Sequence, residues 1–299
     1  MAASTSIVSI MGGLGNQLFQ YSLATYIAEI LGQPVAFNGD ALAHYQDRSL
    51  VLNAIGLDTA WADAEAVRTR LGPLLSPMWS RRLAASRYGR FIKHGRFITD
   101  EHGLTDQVVA RLQAGEGLYF HGYWQSAGLV AAVTPLLWDN FSFPTMTAAE
   151  AAWRAKIDRS NAIAIHLRRG DYASNPKAAR HHGVLSLDYY RRAADLLAGR
   201  VAEPVFYIFS DDPAYARSQL ADQLPGPTHV VETGSPHAWS DLDLMSHCQH
   251  NIIANSTYSW WSAWLNRNPD KLVVCPAPWF ADLSSAGDLL PPSWLQVAR

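Results

Sequence analysis

The stretch His166-Leu167-Arg168-Arg169-Gly170-Asp171-Tyr172 packs an imidazole, two adjacent guanidiniums and a carboxylate into one short segment. It follows an apolar run and turns at Gly170. In α/β sheets ligands bind there, outside the carboxyl ends of the strands. Two neighbouring guanidiniums near a core are costly unless they meet anions, and the planar fork of arginine suits phosphate oxygens. A diphosphate leaving group gains negative charge as its bond breaks, so a fixed Arg168 or Arg169 would stabilise that charge selectively in the transition state. The competing reading is structural, with Asp171 bracing one of the arginines in an ion pair.

Four further stretches have residue types suited to polar or anionic ligands. Gly12-Gly13-Leu14-Gly15-Asn16-Gln17 lies between a strand and a helix and offers backbone N–H groups at a helix start. It is not a dinucleotide fingerprint, because Leu18 stands where a third glycine is needed, and no Gly-Lys-Ser/Thr follows for a Walker loop. Its plain reading is a helix capped by Asn16. Ser210-Asp211-Asp212-Pro213 reads either as two acids for a metal–diphosphate or, with Pro213 at a helix start, as a turn and cap. Asp241-Leu242-Asp243 has the spacing of chelating acids, although its leucines speak for a buried helix start. Asn255-Ser256-Thr257-Tyr258 makes a second phosphate cradle at a helix start. No H-x-x-x-H or H-E-x-x-H pattern supports zinc.

The elements that must position these residues follow from the pattern. Ser6–Met11 is a strand, Asn16–Leu31 a helix with apolar residues at helical spacing, and Val35–Phe37 a second strand. Residues 41–150 are irregular and expected to be mainly helical. They hold an arginine cluster (Arg68, Arg70, Arg81, Arg82, Arg87, Arg90, Arg96), read as a solvated face. Tyr119–Trp124 (YFHGYW) lines a groove or forms a buried strand and turn. From 151 onward, strands at 162–167, 205–209, 228–231, 251–254 and 271–275 alternate with helices, the signature of a parallel sheet. The expected division is an N-terminal domain, 1–150, and a C-terminal domain, 151–299. Trp260, Trp261 and Trp264 belong to the core.

The chain has 299 residues, 48% hydrophobic and 17% charged, with a formal charge of −2. That core is rich enough to exclude global disorder, and no basic excess points to nucleic acid as a partner. Two cysteines, Cys248 and Cys275, cannot build a disulfide framework. The N-terminus lacks a signal-peptide pattern and no run of about 18 apolar residues occurs. A soluble cytoplasmic protein is the expectation, with the 79–96 basic stretch the segment suited to weak peripheral membrane contact.

G-G-L-G-N-Q-L-F-Q-Y at 12–21, H-L-R-R-G-D-Y at 166–172 and N-S-T-Y-S-W-W-S-A-W-L at 255–265 together resemble the α-1,2-fucosyltransferases of glycosyltransferase family 11, across nearly the whole chain. The resemblance implies a GT-B-like fold of two Rossmann-like α/β domains, the acceptor on the N-terminal side and the nucleotide in the C-terminal domain. It implies inverting transfer of L-fucose from GDP-β-L-fucose to a galactose 2-hydroxyl of an oligosaccharide, without a metal or other cofactor.

Carried over by position, Arg168 meets the donor diphosphate with Arg169 beside it, and His166 lies near guanine and ribose. Asp243 reads the guanine N1–H and N2–H₂ edge, while Ser256, Thr257 and Tyr258 form the phosphate loop. Ser210 counts among the donor-binding residues. Asn16, with Gly13 and Gly15, lies near the reaction centre. Related enzymes place a Glu after H-x-R-R as general base. Here Asn175-Pro176-Lys177-Ala178 stands in that stretch and no acid follows Asp171 until Asp188. Asp171 is therefore the nearest acid, and the departing phosphate is the other proton acceptor. Acceptor choice falls to 41–150, Tyr123 and Trp124 included. Three other readings remain: a fucosyltransferase of different linkage, a metal-dependent transferase using Asp241/Asp243 or Asp211/Asp212, and a glycan-binding protein without catalysis.

Overall fold

Short, mostly buried strands separated by helices favour parallel neighbours, because a crossover helix returns each strand in the same direction. The chain does this twice, in the units Met1–Ser142 and Phe143–Arg299, each with its own parallel sheet. The structure is a computed structural model and describes residues 3–42, 49–71, 96–169 and 183–299.

In the first unit the sheet order is β2-β1-β4-β3, with β1 Ser6–Ser9, β2 Val35–Asn38, β3 Phe97–Thr99 and β4 Tyr119–His121. Its helices are α1 Leu14–Thr25, α2 Ala64–Leu71, α3 Asp106–Gln113 and α4 Ala127–Asn140. Helix α1 buries Leu18, Phe19 and Leu23. It is shorter than the expected 16–31 helix, because Tyr26–Ile30 widens into a π turn in which Leu31 N–H donates to Tyr26 O. Gly32, at φ 66°, then reverses the chain. The expectation that 41–150 is mainly helical misses β3, while β4 is the buried strand that was one of the two readings of Tyr119–Trp124. Three-residue strands are too short to show a period, and β4 is the buried half of the aromatic run.

In the second unit the order is β10-β9-β8-β5-β6-β7: β5 Asn161–Leu167, β6 Pro204–Ser210, β7 Thr228–Val230, β8 His250–Ile252, β9 Val273–Ala277 and β10 Leu295–Ala298. The helices are α5 Ala148–Ile157, α6 Leu187–Ala198, α7 Pro213–Gln219, α8 Ala238–Ser246 and α9 Thr257–Leu265. Strand β5 is central and alternates its residues between two packed faces. Ile163, Ile165 and Leu167 meet Tyr189, Tyr190 and Ala193 of α6, while Ala162 and Ala164 meet Leu244 and Met245 of α8. Each buried isoleucine contributes about 1.5–3 kcal/mol.

The division falls after Ser142, ahead of the expected 150/151. Helix α5 straddles the expected boundary, yet it opens on a Thr147–Glu150 capping box and packs on α8, so its whole length belongs to the second unit.

Candidate functional site

His166 has the parity of Ala162 and Ala164, so its ring turns to the α8–α9 side of β5. There it lies against the Tyr258 ring, centroids 5.5 Å apart. His166 is 6% exposed and its Nδ1 has no hydrogen-bond partner. Burial, reinforced by the Arg168 charge, pushes its pKa down to about 3, so the imidazole is neutral at every physiological pH.

Past the end of β5, each guanidinium is held by the loop after β6, the neighbouring strand. Arg168 Nη1 lies 3.1 Å from Asp211 Oδ2. Arg169 Nη1 lies 2.9 Å from Asp212 Oδ2, its N–H donates to Asp211 Oδ1 at 3.0 Å, and its guanidinium lies over the Tyr215 ring at 3.5 Å. Asp212 also caps α7, accepting from Tyr215 N at 3.0 Å, and Ser210 Oγ accepts from Asp212 N at 3.0 Å. The turn-and-cap reading of 210–213 is therefore what the structure shows. Asp211 and Asp212 brace the two arginines; Asp171, considered for that role, lies outside the described residues. The Arg168 side chain remains 26% exposed.

Helix α8 carries Asp241 and Asp243, which do not converge. Residues two apart on a helix face away from each other. Asp243, 6% exposed, places Oδ1 3.2 Å from His247 Nδ1. Asp241 is instead near Glu150 and Tyr258; burial, then the Glu150 charge, pushes its carboxyl up to about 6. Glu150 is also buried, which disfavours its charge. Hydrogen bonds from the Ser240 hydroxyl, from Thr147 and from Ser235 outweigh that and hold it down to about 2. The chelating reading of Asp241-x-Asp243 thus fails on side-chain direction. Tyr258 Oη donates to Ala238 O at 2.6 Å, tying α9 to the start of α8.

Ser256 is the N-cap of α9, but its hydroxyl makes no capping bond, and Ser259 Oγ turns back to Ala254 O and Ser256 O. The Ser256 hydroxyl thus leaves the start of α9 uncapped, the condition in which a helix start accepts an anion. Both Ser256 and Thr257 are partly exposed. The far end of α9 is closed by Lys271, whose Nζ donates to Ala263 O at 2.7 Å and Asn266 O at 2.6 Å; burial pushes this amine down to about 8. Trp260 and Trp261 are core, as expected.

In the first unit, the glycine-rich turn ends β1. Its helix cap is Gly13, not Asn16. Asn16 lies three residues further in and accepts from Gln125 Nε2 at 3.0 Å. Gly12 has φ 77°, and a Cβ there would lie 2.8 Å from Asn16 Nδ2. Gly15 is buried in the first turn of α1. Gln17 and Gln20, both fully buried, tie the surrounding loops together. Gln17 Nε2 donates to Gly12 O and Ser49 O while its Oε1 accepts from Val51 N. Gln20 Nε2 donates to Gly122 O and its Oε1 accepts from Met11 N. Trp124 is 5% exposed and packs edge-on against Phe120, so its ring is core rather than a ligand platform. Tyr123 is partly exposed, its N–H donating to Asp100 Oδ2 at 2.7 Å.

Of the expected site residues, the second unit brings together His166, Arg168, Arg169, Ser210 and Tyr258. Ser256 and Thr257 adjoin Tyr258, and Asp243 lies on the helix packed against α9. Gly13, Gly15 and Asn16 gather in the first unit. The sequence reading did not find the Glu150–Asp241–Ser240 group, the Tyr215 platform under Arg169 or the two glutamines. The capping signature of Thr147 and Glu150 was the available signal for the first.

Residues 100–297 match the family model described as glycosyl transferase family 11. The chain is 31% identical to the O-antigen biosynthesis glycosyltransferase WbnK of Escherichia coli, an alignment covering 96% of this chain and 99% of that protein. It is 28% identical to an alpha-1,2-colitosyltransferase, also of Escherichia coli, over 99% of this chain and 100% of that one. Among solved structures, a mutant of Arabidopsis thaliana FUT1 in complex with GDP superposes with a TM-score of 0.51 at 12% identity, over 91% of this chain and 70% of that one. That likeness is one of fold, and the fold is GT-B-like. Among the described residues, no helix is long and apolar enough to cross a membrane.

Proposed function

Because this chain belongs to glycosyltransferase family 11, we propose that it transfers L-fucose from GDP-β-L-fucose to the 2-hydroxyl of a galactose residue in an oligosaccharide, with inversion and without a metal. The observation that carries the reading is the pair Arg168 and Arg169 at the end of β5, beside a helix start whose cap hydroxyl is unused.

In this reading the galactose O2–C1 bond forms as the bond from C1 to the β-phosphate oxygen breaks. The electron pair moves to the phosphate, where Arg168 and the α9 N–H groups of the 256–258 turn receive it. Arg169 is held flat between Tyr215 and Asp212 and acts by keeping Arg168 in register. His166 stays neutral and packs beneath the nucleoside side of the strand end, and Asp243 accepts from the guanine edge. The O2 proton goes to the departing phosphate or to Asp171. Positive charge at the diphosphate comes from guanidiniums, so no metal is invoked.

The test is GDP release from GDP-fucose with a panel of galactose-terminated oligosaccharides, in EDTA, with the product linkage read by NMR. An α-1,2-fucosylated galactose is expected, and Arg168→Ala should abolish it in a folded protein. Loss of activity in EDTA refutes metal independence; no GDP binding refutes the donor assignment.

A second reading has one observation in its favour, the end-to-end similarity to an alpha-1,2-colitosyltransferase. Colitose is L-fucose without its 3-hydroxyl, so the two donors differ by one hydrogen-bonding group. Competition between GDP-fucose and GDP-colitose decides between them.

A further inference from the structure

At the carboxyl end of β2, inside the first unit, a cleft of about 500 Å³ is lined by Phe37, Asn38, Gly39, Asp40, Trp61 and Arg68, among others. Trp61 is 48% exposed, which is unusual for so large an apolar ring. It is not on a loose loop. The backbone on both sides of Trp61 pairs with Phe37: Phe37 N–H donates to Ala60 O at 2.7 Å, and Ala62 N–H donates to Phe37 O at 2.9 Å. Its ring meets Phe37 edge-on and lies over Gly39, where a Cβ would come within 3.0 Å of the indole. The absence of a side chain at 39 is what lets the ring lie there.

Polar groups with fixed positions flank the ring. Asn38 Oδ1 accepts from Asp40 N at 2.7 Å and Asn38 Nδ2 donates to Asp40 Oδ2 at 3.2 Å, which orients the exposed Asp40 carboxylate beside the indole. The exposed Arg68 stands on the α2 wall. A flat apolar surface edged by a carboxylate, an amide and a guanidinium matches one class of ligand. A pyranose presents a face of C–H groups to the ring and equatorial hydroxyls to the polar rim. The cleft also opens on the strand-end edge of the sheet that carries the Gly12–Gly13 turn, since β1 and β2 run parallel and Ile10 N–H donates to Asn38 O.

We propose that this cleft is a saccharide subsite that holds a sugar ring of the acceptor glycan, with Trp61 as stacking platform and Asp40 as hydroxyl acceptor. The assignment to the acceptor rests on the transferase reading above.

The experiment has two readouts. The first is binding of the same galactose-terminated panel, followed by saturation-transfer NMR and by tryptophan fluorescence, with GDP present. The second is steady-state transfer. Trp61→Ala should weaken glycan binding and raise the acceptor KM by about tenfold or more, leaving the donor KM unchanged; Trp61→Phe should recover most of that, and Asp40→Asn should lie between. Thermal melting confirms that each variant is folded.

Retention of acceptor KM within about twofold in a folded Trp61→Ala protein, or an equal loss of donor affinity, overturns the subsite while leaving the transferase reading intact. No binding of any panel member by the wild type also overturns it. Trp61-dependent glycan binding without any transfer from GDP-fucose leaves the subsite standing and overturns the donor reading instead.

Discussion

Acidification gives the sharpest test of how His166 is held. The folded imidazole has its pKa near 3, against about 6.5 in the unfolded chain. Between those values the unfolded state binds the proton and the folded state does not. The group's contribution is therefore fully present above pH 6.5 and is lost as pH falls. Moving from pH 7 to pH 5 converts most unfolded His166 to imidazolium, which costs the fold about 2 kcal/mol from this residue alone.

The other histidines also titrate, so the quantity to measure is a difference. Urea unfolding of the wild type and of His166→Gln, each at pH 7 and pH 5, gives a stability gap that should shrink by about 2 kcal/mol on acidification. The ring ¹⁵N shifts of His166 should stay those of a neutral imidazole at pH 5. A gap constant to within about 0.5 kcal/mol, or an imidazolium signal at pH 5, would falsify the placement of this ring in a dry pocket against Tyr258.

Other perturbations have equally definite outcomes. Lys271 has a folded pKa near 8, below its unfolded value, so the unfolded state holds the extra proton between pH 8 and about 10.4, and the stability gap between wild type and Lys271→Met should widen in favour of wild type over that range. At neutral pH Lys271→Met, by stripping the carbonyls of Ala263 and Asn266 of their donor, should cost about 1–3 kcal/mol in a chemical melt. Asp211→Asn should lower kcat roughly tenfold or more by freeing the Arg168 fork, while circular dichroism stays native; an unchanged kcat removes the bracing role. Gly12→Ala should cost about 1–3 kcal/mol, since it forces a side chain to φ 77° and against Asn16, and a melting temperature equal to wild type would contradict that geometry.

How much was legible depended on distance along the chain. The 161–167 and 204–210 strands announced themselves because both faces are buried and the run is long enough to show it. The α7 cap was readable from Asp212-Pro213, because capping is a contact between residues three apart. The ionic partners of Arg168 and Arg169 were not, because Asp211 and Asp212 lie more than 40 residues away and meet the arginines only through the β5–β6 pairing. The nearer Asp171 lies outside the described residues, and spacing ranks local choices alone. Trp61 went unremarked because a tryptophan in an irregular segment gives no sign of which way it faces. Trp124 drew attention for its neighbours and turned out to be core.

The two glutamines of the first unit have one more implication. An amide side chain carries the same donor and acceptor as a peptide bond, and Gln17 and Gln20 use both to stitch the loops at 11–12, 49–51 and 122 from beneath. These stitches are uncharged. Neither ionic strength nor acid weakens them through screening or protonation, whereas the arginine–aspartate pairs of the second unit are partly solvated and are screened by salt. Added salt therefore weakens the braces on Arg168 and Arg169, while the loops stitched by Gln17 and Gln20 keep their shape.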